Sequence, residues 1–88
     1  SPHIDNFSPH WVLLYYVNTS DGDTLLFKET TEEIPLSQVS NQTLNIKAKI
    51  KPKKGRAVLF NGKHYHCGCP PIENEYRIAI NHNFTIKE

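Results

Sequence analysis

Strand signals dominate the pattern of apolar and polar positions: short apolar and aromatic runs broken by turn residues, with clear period-two alternation in "TLNIKAKIKP". The run "HWVLLYYV" (10–17) is short, apolar and aromatic; the turn residues "NTSDGD" follow it, then "TLLF" (24–27), which predicts two strands joined by a glycine-containing turn. The stretch from 28 to 43 is polar, has no clear period and carries Pro35, and it reads as a loop, either a lid or a passive connection. "TLNIKAKIKP" places Leu44, Ile46, Ala48 and Ile50 on one face and lysines on the other. The turn "KPKKG", the strand "RAVLF", the turn "NG", the strand "KHYHCG", a Pro-Pro loop and "YRIAINHNFTI" complete the chain. No window has apolar residues at helical spacing between caps. Six or seven short strands with frequent turns predict an all-β sandwich or small barrel such as a jelly roll. Gly22 and Gly62 fall where tight turns call for positive φ, and Gly68 where another group must approach the backbone closely.

Two strands are apolar on both sides. In "WVLLYYV" one face carries Trp11, Leu13, Tyr15 and Val17 and the other Val12, Leu14 and Tyr16. In "RIAINHNF" Arg77, Ala79, Asn81 and Asn83 oppose Ile78, Ile80, His82 and Phe84. A sheet with one wet face should alternate cleanly. The expectation is that something covers the outer face, and that this chain, lacking helices, does not supply it: either residues upstream of Ser1 or a partner does.

Eighty-eight residues allow one small domain, 1–88, with a modest core. Ten basic residues against nine acidic give no broad field that would make nucleic acid or an anionic membrane the expected partner. The basic run from Lys47 to Arg56 alternates with apolar residues and reads as a strand with a wet face. No apolar stretch approaches the roughly 20 residues of a membrane helix, and no charged-then-apolar leader opens the chain. Cys67 and Cys69 stand one residue apart, too close for an ordinary disulfide, which fits reduced thiols and a cytoplasmic location. Asn-x-Ser/Thr triplets at Asn6, Asn18, Asn41 and Asn83 read as composition in such a setting.

The candidate chemistry lies near the two ends. In "HIDN" (3–6), His3 and Asp5 point to one side of an extended segment. Two imidazoles and one carboxylate on a triangular face leave three metal positions open for substrates, so a third ligand is needed. His64 and His66, on one strand face with Tyr65 opposite, are the candidates, and the residues alone do not choose between them. A different use of the same stretch, a structural zinc held by the His64/His66/Cys67/Cys69 cluster, lacks the usual gaps between ligands.

The order "HIDN", "LLYYVN", "DGDTLLF", "PKKGRAVLF", "YHCGCPP", "YRIAINHNF" resembles, over nearly the whole chain, the Fe(II)- and 2-oxoglutarate-dependent dioxygenases, most closely their prolyl 4-hydroxylase-like branch. The resemblance implies a double-stranded β-helix, a jelly roll related to the cupins, here without the strand and helices that normally precede the His-x-Asp pair. It therefore implies either the C-terminal part of a longer oxygenase domain or a barrel completed by a second copy. It implies Fe(II) on His3, Asp5 and His66, the match of "HCGCPP" favouring His66 over His64. It implies 2-oxoglutarate held by Arg77, eleven positions beyond His66, with Tyr16 on the same carboxylate and Asn81 as a further lining residue. Dioxygen is the other co-substrate it implies, and it admits ascorbate. Arginine suits the role because its planar, permanently charged fork grips a carboxylate with two hydrogen bonds; otherwise Arg77 would face solvent beside Glu73 or Glu75. The activity implied is hydroxylation of a C–H bond, with a prolyl residue of a peptide as the favoured substrate. The alternative is a non-catalytic, cupin-like binding module.

Overall fold

The computed structural model describes residues 2, 4 and 9–85. Six strands lie within them: β1 (Trp11–Tyr16), β2 (Thr24–Thr30), β3 (Ile46–Ile50), β4 (Ala57–Asn61), β5 (His64–Gly68) and β6 (Ala79–Phe84). They form two three-stranded antiparallel sheets, ordered β4-β1-β6 and β3-β2-β5. The architecture is all-β, as the short strand-like runs and frequent turns predict. Of the links between successive strands, only β2 to β3 stays within a sheet; the others cross to the opposite one. The β1–β2 turn therefore joins two layers rather than a hairpin. Among the described residues no helix is long and apolar enough to cross a membrane.

Between the sheets, Val12 of β1 and Phe60 of β4 stand opposite each other in register and bury against Leu26 of β2, with Ala48 and Val58 packed around them. Tyr16, fully buried, reaches across the layers and donates its phenol hydrogen to Thr24 Oγ1 at 2.6 Å. This inner face is the one that carries the candidate site.

β2 runs three residues further than "TLLF" suggests. Its extension is polar in composition yet held by pairing: Lys28 N–H donates to the Asn45 carbonyl at 2.8 Å, and the buried Glu29 carboxylate accepts the Asn45 N–H at 2.6 Å. β2 itself keeps the alternation, Leu26 in the inner core and Leu25 and Phe27 in the outer cluster, but its pairing with β3 shifts register between Leu26 and Phe27, leaving Lys47 as the extra residue. The same irregularity corrects the single apolar face expected for β3, because Ala48 packs in the inner core whereas Leu44 joins Phe27 on the outside. A bulge adds one residue to one strand and so turns the faces beyond it over.

The expected loop contains a 3-10 turn, Leu36–Asn41, which covers a face that the sequence pattern did not single out. Val39 from this turn packs on Phe27 and Tyr65, with Ile34, Leu44 and Cys67 at the margin, over the outer face of β3-β2-β5. The Tyr65 phenol fastens the segment by donating to the Ile34 carbonyl at 2.6 Å. Tyr65→Phe is expected to lower stability by about 1 kcal/mol, since it strands that carbonyl; urea unfolding of both proteins measures it. The outer face of β4-β1-β6 is a different case. Leu13, Tyr15, Val17, Leu59, Ile78 and Ile80 are all exposed there, and nothing among the described residues covers them.

Positive φ is found at Gly22 and Gly55, not at Gly62. Gly62 is required for space instead: a Cβ there would run into the His10 ring, which packs on it.

Candidate functional site

β5 alternates about its sheet, and this separates its side chains. Tyr65 and Cys67 turn outward into the cluster under the 3-10 turn, while His66 turns inward, buried, edge-on to Phe60 of the facing sheet with ring centroids 5.1 Å apart. A zinc cluster of His66 with Cys67 is thereby ruled out by direction, and among the described residues no group of three or more His, Cys, Asp or Glu side chains stands close enough to hold a metal. His64 and His66 also differ. His64 Nδ1 lies 3.0 Å from the Phe27 carbonyl oxygen, so its ring is engaged with the neighbouring strand. His66 lines a cavity of about 210 Å3 between the sheets.

The same cavity is lined by Leu14, Thr24, Arg77, Ala79 and Asn81. Arg77 and Asn81, with Ala79 between them, reach it because β6 carries its odd-numbered residues on the inner side. Arg77 does not face solvent beside Glu73 or Glu75: it is partly buried, its Nε donating to the Gly22 carbonyl at 2.8 Å and its Nη2 to Thr24 Oγ1 at 2.6 Å. Its guanidinium carbon lies 5.5 Å from the centre of the Tyr16 ring, within cation–π range. Gly68 makes room for the group; a Cβ there would sit 3.3 Å from Nη1. No carboxylate pairs with Arg77 among the described residues. A cation in that position, with part of its N–H fork unspent, favours an anion in the cavity.

Thr24 is the residue that the sequence reading passed over. Its hydroxyl accepts from both Tyr16 and Arg77, which occupies both oxygen lone pairs and leaves its own O–H as the remaining hydrogen-bonding capacity. Two donors converging on one oxygen polarise that O–H and make it a better donor. The Tyr16 hydroxyl is engaged with Thr24, and Tyr16 is not among the residues that line the cavity. The available signal was register: Thr24 is a polar residue in the inward position of an otherwise apolar strand, two before Leu26. Asn81 lines the cavity from its exposed side. His3 and Asp5 lie outside the described residues.

A larger, shallower groove of about 490 Å3 lies over the other side of β2 and β3, lined by Leu25, Ile46, Lys49 and Ile72 among others. It contains neither a buried cation nor a histidine.

The β1–β2 turn and the loop before Arg77 are joined by Asp21. Its carboxylate accepts the N–H groups of Glu73 at 2.9 Å, Ile72 at 2.8 Å and Asn74 at 3.2 Å, which hold it below the usual 3.8 for this side chain. A depressed folded-state pKa means that the ionised form is the one the fold favours, so this contribution is present above the ordinary pKa and is lost as pH falls through the lowered value. Amide exchange at Ile72, Glu73 and Asn74 is accordingly expected to quicken relative to the β1 amides below pH 3.8, as followed by NMR.

Residues 1–85 match the family model of the 2OG-Fe(II) oxygenase superfamily, and the chain belongs to that family. No curated protein and no solved structure gives a match to the chain. Membership implies Fe(II) as the metal, with 2-oxoglutarate and dioxygen as co-substrates.

Proposed function

We propose that the chain is the core of a 2-oxoglutarate-dependent oxygenase that hydroxylates a C–H bond, with the inter-sheet cavity as the co-substrate site. The observation that carries this reading is the partly buried Arg77, without a carboxylate partner among the described residues, in the same cavity as the buried His66. The crossing of successive strands between two sheets supports a double-stranded β-helix, the jelly roll of the family.

The residues present fit the group. Arg77 supplies a charged fork and Thr24 a polarised hydroxyl for the carboxylate of 2-oxoglutarate remote from the metal, and Tyr16 holds both in place. Asn81 adds a polar edge to the cavity. His66 is the third metal ligand on this reading, with His3 and Asp5 as the other two; two imidazoles and a carboxylate are a donor set suited to Fe(II). His66 Nδ1 lies 3.4 Å from the His64 carbonyl oxygen, and with the proton on Nδ1 the lone pair sits on Nε2, the form of the ring that ligates metals. When bound, Fe(II) with 2-oxoglutarate and dioxygen supplies the oxidising power for hydroxylation, ascorbate serving as an auxiliary reductant; the chain's share is to hold, orient and exclude water. Leu14, Ala79 and Phe60 furnish the apolar part of that environment. A peptidyl proline is the substrate proposed, following the prolyl 4-hydroxylase-like character of the motifs.

The test is turnover: with Fe(II), ascorbate and dioxygen the chain should convert 2-oxoglutarate to succinate, faster when a proline-containing peptide is present. Saturable binding of 2-oxoglutarate without succinate would instead make it a cupin-like binding module.

A further inference from the structure

The loop that brings Arg77 to the cavity is clasped by the β1–β2 turn on both sides of the arginine. Upstream, three consecutive N–H groups, of Ile72, Glu73 and Asn74, converge on the single carboxylate of Asp21, and the Asn74 side-chain oxygen accepts the Asp21 N–H in return at 3.1 Å. Immediately on either side of the arginine, Asn18 donates to the Tyr76 carbonyl at 3.0 Å and accepts the Ile78 N–H at 2.7 Å. Arg77 itself is tied to the same turn through Gly22. Gly22 is in the left-handed region, and any Cβ there would press on the backbone of Cys69 and Pro70, so loop and turn are packed without slack.

A guanidinium tethered at Nε and at Nη2 presents its fork at one depth. Arginine side chains ordinarily adapt by rotamer changes, but here an adaptation would break the bonds to Gly22 or Thr24. A dicarboxylate that is one methylene too long or too short must then meet the fork badly, whereas the matched acid meets it without reorganisation. Resting on the oxygenase reading above, we propose that Asp21 is a positioning residue which fixes the depth of Arg77 and thereby the chain length of the 2-oxo dicarboxylate that the cavity accepts. Asp21 is the centre of the clasp because hydrogen bonds to an ionised carboxylate are about twice as strong as neutral ones. Asn18 holds the arginine's two chain neighbours, Tyr76 and Ile78, while Asp21 holds the stretch of loop that leads to them.

The experiment is calorimetric titration of the full chain, loaded with Mn(II) in place of Fe(II), with the four-, five- and six-carbon 2-oxo dicarboxylates. The unsubstituted protein should prefer the five-carbon acid, 2-oxoglutarate. Asp21→Ala should weaken that acid about tenfold while leaving the six-carbon acid unchanged or tighter, so that the preference narrows by at least this factor. Asp21→Asn, which keeps one acceptor oxygen, should recover part of the preference. Should circular dichroism show that Asp21→Ala does not fold, Asn74→Ala, which removes the return bond, is read by the same criterion. A folded variant that weakens all three acids equally, or none, overturns the positioning role. Failure of the unsubstituted protein to bind any of the acids overturns the oxygenase reading itself, before any variant is compared.

Discussion

Arg77→Met is expected to weaken 2-oxoglutarate binding by about thirtyfold or more, with little change in metal uptake. The estimate follows from the roughly 2–5 kcal/mol lost when one partner of a desolvated, hydrogen-bonded charge pair is truncated. Methionine retains much of the length and apolar bulk that lies over Tyr16, so packing is largely preserved while the donors to Gly22, Thr24 and the cavity all disappear. Arg77→Lys is not a conservative change here. A lysine offers a point charge and cannot meet the Gly22 carbonyl, Thr24 and an anion with one planar fork. Its affinity should fall between those of the parent and the methionine variant. Calorimetry on the metal-loaded proteins reads both; unchanged affinity in Arg77→Met would mean that the anion is held elsewhere.

His66→Ala is expected to abolish tight iron binding, and with it all turnover, as measured by iron content after anaerobic dialysis. The variant also opens a space beside Phe60, so its folding should be checked by the melting transition. His64→Ala is the internal comparison, because that ring is engaged with the Phe27 carbonyl on the neighbouring strand and does not line the cavity. It should retain its metal. Retention of full iron stoichiometry by His66→Ala, together with its loss in His64→Ala, would exchange the roles of the two histidines.

Much of this arrangement was legible in the residues. Alternation in "WVLLYY" and "RIAINHNF" grouped Tyr16 with Val12 and Leu14, and Arg77 with Ala79 and Asn81, because strand side chains keep period two wherever pairing is regular; the motif resemblance supplied which face is inward. It failed where pairing is irregular. The shift at Leu26/Phe27 is a property of how β2 meets its neighbours, and no local pattern announces it, so Leu44 and Ala48 were assigned one face when they occupy two cores. The extension of β2 was hidden for a related reason: Lys28, Glu29 and Thr30 have no apolar rhythm and are held in the strand by Asn45, sixteen residues from Glu29. Thr24 was missed because its importance lies in what converges on it, Tyr16 from eight residues before and Arg77 from fifty-three after. The 3-10 turn that covers one sheet lies in a segment too polar to show an amphipathic signature, yet Val39 packs on Phe27 and Tyr65 while the Tyr65 hydroxyl holds the Ile34 carbonyl. The motif resemblance, by contrast, chose His66 over His64 from the flanking "HCGCPP", a distinction that depends on chain context rather than on periodicity.

The central claim is that one cavity between the sheets joins a metal-bound 2-oxo acid to Arg77. Anaerobic titration of the unsubstituted chain tests it most directly, adding Fe(II) and 2-oxoglutarate separately and then together while following visible absorption. The account predicts a weak charge-transfer band that appears only with both present and saturates at one equivalent of each. Absence of the band, with no retention of 2-oxoglutarate on the iron-loaded chain, would contradict it.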